Sequence, residues 1–124
     1  MKSLKLLWLY SNDIVEIPKE IKNLQNLEEL VLDDNRIEKV PEEVFECKKI
    51  TKLYLSDNYL TAIPKSILNL TEMIELLLSE NEEWEEFPLE MLNLPKLQKV
   101  EVDSRTYDRY DLSNHEHASK VIIY

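Results

Sequence analysis

Asparagine recurs at Asn12, Asn35, Asn58 and Asn81, three successive steps of 23 residues. Proline recurs at Pro18, Pro41, Pro64 and Pro88, in steps of 23, 23 and 24. The apolar residues keep the same register. Leu7, Leu30, Leu53, Leu76 and Val100 form one column, and Leu9, Leu32, Leu55, Leu78 and Val102 a second. Further columns start at Leu4, Ile14, Ile17, Ile21 and Leu24. A unit this short cannot bury its own apolar side. Neighbouring units have to stack so that their columns merge into one core, which is the logic of a solenoid.

Inside each unit the period changes. Leu30-Val31-Leu32 and its counterparts alternate, which reads as a short strand. After each proline the apolar spacing becomes three, as in Pro18, Ile21, Leu24 and Leu27. That spacing predicts a helical or 3₁₀ segment with proline at its start. Each unit is therefore strand, turn, then a short helix-like return.

The consensus L-x-x-L-x-L-x-x-N-x-I-x-x-I-P-x-x-I-x-x-L resembles leucine-rich repeats of the 23-residue class, in the bacterial and signalling-type form. The units run over 4–26, 27–49, 50–72 and 73–96, with a degenerate capping repeat over 97–124, and together they are expected to form a single domain over 1–124. The resemblance implies an α/β fold, a right-handed β-α horseshoe with a short parallel sheet on its concave face. It also implies protein–protein binding. Asn12, Asn35, Asn58 and Asn81 are then structural, their side chains bonding backbone groups of adjacent turns.

Composition narrows the chemistry. The chain contains no glycine, so GxGxxG, Walker A and GxSxG are all excluded. One cysteine excludes an internal disulfide framework and a multi-cysteine zinc ribbon. Cys47 occupies the column of Leu24, Leu70 and Leu94 and reads as a buried small apolar group. With 25 acidic against 15 basic residues and a net charge of −10, the chain repels phosphate backbones, so no nucleic-acid partner is expected. No apolar run approaches the ~20 residues of a membrane span, and Leu4–Tyr10 is too short and too charged for a secretory core. Membrane association is not expected, and a cytoplasmic location is. His115 and His117 could share a metal, but no donor cluster completes a zinc site. They read as polar tail residues. Ser113 and Ser119 near them lack an orienting group and an oxyanion site. No enzyme activity, metal or cofactor is expected.

Strand alternation separates core from surface. If Leu7 and Leu9 point inward, Leu6, Trp8 and Tyr10 point to the concave face. The central exposed column is then Trp8, Val31, Tyr54, Leu77 and Glu101, and four of these five are apolar or aromatic without any demand from core packing. Beside it run Tyr10, Asp33, Ser56, Ser79 and Asp103, with Asp34, Asp57 and Glu80 beyond. The predicted partner site is Trp8, Tyr10, Val31, Asp33, Tyr54, Leu77 and Glu101, an apolar stripe with an acidic border suited to a hydrophobic segment flanked by Lys or Arg. β-propensity alone would also favour Trp, Val and Tyr on these strands.

Two irregularities remain. Glu82-Glu83-Trp84-Glu85-Glu86 carries one extra residue. It reads as a bulge with Trp84 in the core column, or as an acidic patch for a basic partner. The first repeat has no cap before Leu4, so its strand edge is expected to be exposed, and self-association through Leu4–Tyr10 is the alternative function. At the other end, Arg105 replaces asparagine and Asp111 replaces proline, as in a cap, and Val121–Tyr124 is expected to form a last strand or cover.

Overall fold

The computed structural model describes residues 3–123. Six strands, β1 (Leu6–Trp8), β2 (Glu29–Val31), β3 (Lys52–Tyr54), β4 (Glu75–Leu77), β5 (Lys99–Val102) and β6 (Val121–Ile123), form one parallel sheet in sequence order. The register follows the repeat: Leu7, Leu30, Leu53, Leu76 and Val100 pair in succession. Each strand therefore lies beside the equivalent strand of the next unit, and the sheet is open.

The return segments are single 3₁₀ turns, Lys19–Asn23, Glu42–Glu46, Lys65–Asn69 and Leu89–Asn93. Each follows its proline, whose carbonyl accepts from Ile21, Val44, Ile67 or Met91 at 3.1 Å. The three-residue apolar spacing matches 3.0 residues per turn better than 3.6, which favours 3₁₀ geometry over α. The one α-helix among the described residues is α1 (Ser104–Arg109), where the repeat pattern breaks. Asp103 caps it by accepting from the Thr106 N–H at 2.8 Å.

Between sheet and returns lies one continuous core. Leu30, Leu53, Leu55, Leu76, Leu78, Val100 and Val102 enter it from the strands, and Val44, Ile67, Leu70 and Met91 from the returns. Burying each such aliphatic stabilises the stack by about 1.5–3 kcal/mol. Trp84 fills the core column despite the extra residue and is buried. It meets Phe87 edge-on at 5.2 Å, and Phe87 stacks on Tyr110 at 5.1 Å. The last regular turn is thereby tied to the cap. The predicted final strand is present as β6; Tyr124 lies outside the described residues.

Candidate functional site: the solvent face of the sheet

The asparagines hold the strand ends in register. Asn35 Oδ1 accepts from the N–H groups of Asn12 (3.2 Å) and Ile14 (3.1 Å), and its Nδ2 donates to the carbonyls of Leu9, Leu32 and Asp33. Asn58 and Asn81 repeat the arrangement, accepting from Ile37 and Leu60 at 3.0 Å. All three are buried. Asn12 is exposed, and among the described residues its Nδ2 donates to carbonyls of its own turn, Leu9 and Tyr10.

Just before each asparagine the backbone turns left-handed, at Ser11 (φ 56°), Asp34 (57°), Asp57 (56°) and Glu80 (58°). Without glycine, the chain fills this position mainly with short polar residues, whose side chains bond locally and tolerate it. Here Ser11 Oγ donates to Asp34 at 3.0 Å.

The central row is present in register: Trp8 pairs with Val31, Val31 with Tyr54, Tyr54 with Leu77, Leu77 with Glu101, and Glu101 with Ile122. Trp8 and Tyr10 are 56% and 58% exposed. Val31, Tyr54, Leu77 and Glu101 are half-buried, because each has a strand on both sides. Ile122 is exposed and extends the row by one place. The sequence reading did not include it, since the 23-residue period has lapsed there; the β-branched run Val121-Ile122-Ile123 is the signal that marks it.

Tyr54 donates its hydroxyl to Glu75 Oε2 at 2.6 Å. Burial, then this bond, push its pKa up, so the ring faces solvent with its polar end already occupied. The flanking row Leu6, Glu29, Lys52, Glu75 and Lys99 alternates in sign over its last four members.

On the other side stands the acidic border. Asp33 accepts from the Ser56 N–H at 2.8 Å. Burial raises its carboxyl pKa to about 6; the Ser56 bond opposes the rise, and Glu101, Asp57 and Asp34 add to it. Ser79, predicted to be surface, is buried, its Oγ 3.0 Å from Ser56 Oγ and 3.3 Å from Glu101 Oε1. Asp103 is partly spoken for: besides capping α1 it accepts from the Glu80 N–H at 3.0 Å. Asp33, Asp34, Asp57, Glu80 and Glu101 line a shallow depression of about 270 Å³.

Cys47 is buried at its column position, with Sγ 3.2 Å from the Ile21 carbonyl. Burial, then Glu46, push its thiol up to about 11, the wrong direction for a nucleophile. His115 Nδ1 accepts from the His117 N–H, and no cluster of three or more metal-type donors occurs among the described residues. No helix among them is long and apolar enough to cross a membrane.

A family model described as a leucine-rich repeat region matches residues 1–121. The chain belongs to the leucine-rich repeat family. Solved structures similar to this leucine-rich repeat chain include a leucine-rich repeat protein of Leptospira interrogans, 29% identical at a TM-score of 0.63 over 98% of this chain and 25% of that one. The functional domain of InlJ from Listeria monocytogenes is 27% identical at a TM-score of 0.69, over 82% and 21%. A chain of the BIR3–SERK2 complex of Arabidopsis thaliana is 36% identical at a TM-score of 0.56, over 61% and 43%. This chain spans less than half the length of each. No curated protein matches it significantly.

Proposed function

We propose that this leucine-rich repeat chain is a non-enzymatic protein-binding module that docks its partner on the solvent face of the sheet. The observation that carries the reading is the unbroken row Trp8, Val31, Tyr54 and Leu77, four apolar or aromatic side chains in register on the sheet face turned away from the core. Exposed aromatic patches of this kind are the usual anchors of protein interfaces. One of the similar structures is itself a complex between proteins, which agrees with a binding role.

The chemistry of the face selects the partner. Asp33, Asp34, Asp57, Glu80 and Glu101 lie along one border, so an extended segment with apolar side chains next to Lys or Arg fits both the row and the rim. Six strands at ~4.8 Å spacing give a face about 24 Å across. That is enough for a short peptide, and less than the ~800 Å² each partner contributes to a standard interface.

The test uses fluorescent peptides that differ only in flanking charge. Peptides with aromatic or aliphatic residues flanked by lysine should bind, and those flanked by glutamate should not. The double substitution Trp8→Ala/Tyr54→Ala should weaken binding by ~30-fold or more, as for paired hot spots, with little change in melting temperature. Equal binding by the double variant, or no preference for lysine, contradicts the reading.

A further inference from the structure

The one-residue insertion before Pro88 disturbs the stack from within. Arg36 and Tyr59, each just after its asparagine, donate their N–H groups to the carbonyls of Ile14 and Ile37 in the turn before. In the fourth turn the equivalent residue is Glu82, and the bonds are made later, by Glu85 and Glu86, both to the Thr61 carbonyl, at 2.8 and 3.2 Å. The N–H groups of Glu82, Glu83 and Trp84 make no such bond to the third turn among the described residues. The change reaches Pro88, whose ψ is 75°, against 145°, 152° and 148° at Pro18, Pro41 and Pro64.

Two depressions lie along this stretch and share Thr61. The first, of about 520 Å³, has Glu38, Tyr59, Glu83, Trp84 and Glu85 in its lining. The second, of about 340 Å³, has Val40, Ala62, Ile63, Pro64 and Pro88. Together they make a groove on the turns, away from the sheet, with an aromatic and acidic end and an aliphatic end.

Tyr59 is the odd member of its column. Asp13, Arg36, Glu82 and Arg105 hold the equivalent positions, and they pair across neighbouring turns, Arg36 with Asp13 at 3.7 Å and Arg105 with Glu82 at 3.4 Å. Tyr59 stands between the two pairs and is 55% exposed, so its ring serves no core. Glu38, Glu83 and Glu85 are exposed and make no ion pair among the described residues. Arg109 also borders this end, but its guanidinium lies over the Tyr110 ring, 5.2 Å from the centroid. An aromatic face beside unpaired carboxylates suits a guanidinium, which stacks on the ring while its N–H fork answers the carboxylates. At the aliphatic end Lys39 and Lys65 balance Glu86 and Glu90, so that end selects by apolar contact.

We propose that this groove holds an extended segment of a partner protein that carries an arginine and, about three residues away, an aliphatic side chain. The arginine enters beside Tyr59, and the aliphatic residue seats on Ala62, Ile63 and Pro64. Thr61 and Pro64 are separated by at most ~10 Å of chain, which sets the spacing. The groove lies on the turns, so the inference does not rest on the sheet-face reading.

The probe is a peptide with one arginine and one leucine three residues apart in an uncharged background, titrated into the full chain and followed by proton–nitrogen correlation spectra. The chain has two tryptophans, and their indole N–H signals report the two surfaces separately. Trp84 lines the groove, and Trp8 belongs to the sheet-face row. The Trp84 signal should shift saturably and the Trp8 signal should stay. Tyr59→Ala should weaken binding about 3–5-fold through loss of the stacked cation. Glu83→Lys/Glu85→Lys alters only exposed side chains. It should weaken binding at least ~10-fold and should accept a peptide with glutamate in place of arginine. A Trp8 shift without a Trp84 shift, no saturable shift at millimolar peptide, or equal binding by the charge-reversed variant overturns the proposal. The sheet-face reading is judged instead by the lysine-flanked peptides and Trp8→Ala/Tyr54→Ala, so either can fail alone.

Discussion

Each buried asparagine stands in for backbone partners that its irregular turn lacks. Asn58 alone answers the carbonyls of Leu32, Leu55 and Ser56 and the N–H of Ile37. Asn58→Ala leaves these groups buried and unpaired and should destabilise the fold by about 2–4 kcal/mol, since each such group costs ~1–3 kcal/mol. Asn12→Ala, at an exposed position, should cost under ~1 kcal/mol. Urea unfolding of the two variants gives the comparison directly, and equal losses would contradict the ladder. Asp33 makes a second prediction. Its folded pKa, about 6, lies above the ordinary value of 3.8, so the folded state holds this proton more tightly than the unfolded one. Its contribution to stability is therefore fully present below about pH 3.8 and is lost as the pH rises through 6. Asp33→Asn keeps an acceptor for Ser56 and removes the charge. The variant should melt higher than the wild type at pH 7.5, and the gap should close by pH 4. A basic peptide over the border would favour the ionised form, so its binding should strengthen across the same interval.

The elements differ in how much of them the amino-acid pattern reveals. Strands, prolines and core columns are visible because they repeat, and alternation places Trp8, Val31, Tyr54 and Leu77 on one face. The degree of exposure along that row is not local information. Trp8 stands free because its strand has one neighbour; Val31 and Tyr54 are half covered because theirs have two. Ser79 is drawn under by Ser56 and Glu101, which no periodicity announces. β6 and Ile122 lie past the last full repeat, where the only cue is β-branching. Trp84 shows a one-residue insertion absorbed by a larger side chain. Its Nε1 is buried without a hydrogen-bond partner among the described residues, so packing against Phe87 is what it contributes. Trp84→Ala should cost about 3–5 kcal/mol through the cavity it leaves, whereas Trp84→Phe should cost less than ~1.5 kcal/mol because it also deletes an unpaired donor. Thermal unfolding of the pair checks this, and similar losses in the two variants would show that the indole N–H matters.

At the scale of the molecule, four and a half 23-residue units become one body because each turn completes the core and the hydrogen bonding of the turn before it. The sheet face follows from that stacking. The proposed binding face depends on strands that pair at a constant offset of 23 residues, or 24 across the insertion. Nuclear Overhauser contacts between backbone protons of adjacent strands, ~4.8 Å apart, measure that offset. Cross-strand contacts should link Val31 with Tyr54 and Tyr54 with Leu77, while the amides of Leu32, Leu55 and Leu78 resist exchange. Contacts at another offset, or helical contacts between residues three apart through Leu30–Leu32, would show that the turns do not stack in register and that the binding row does not exist.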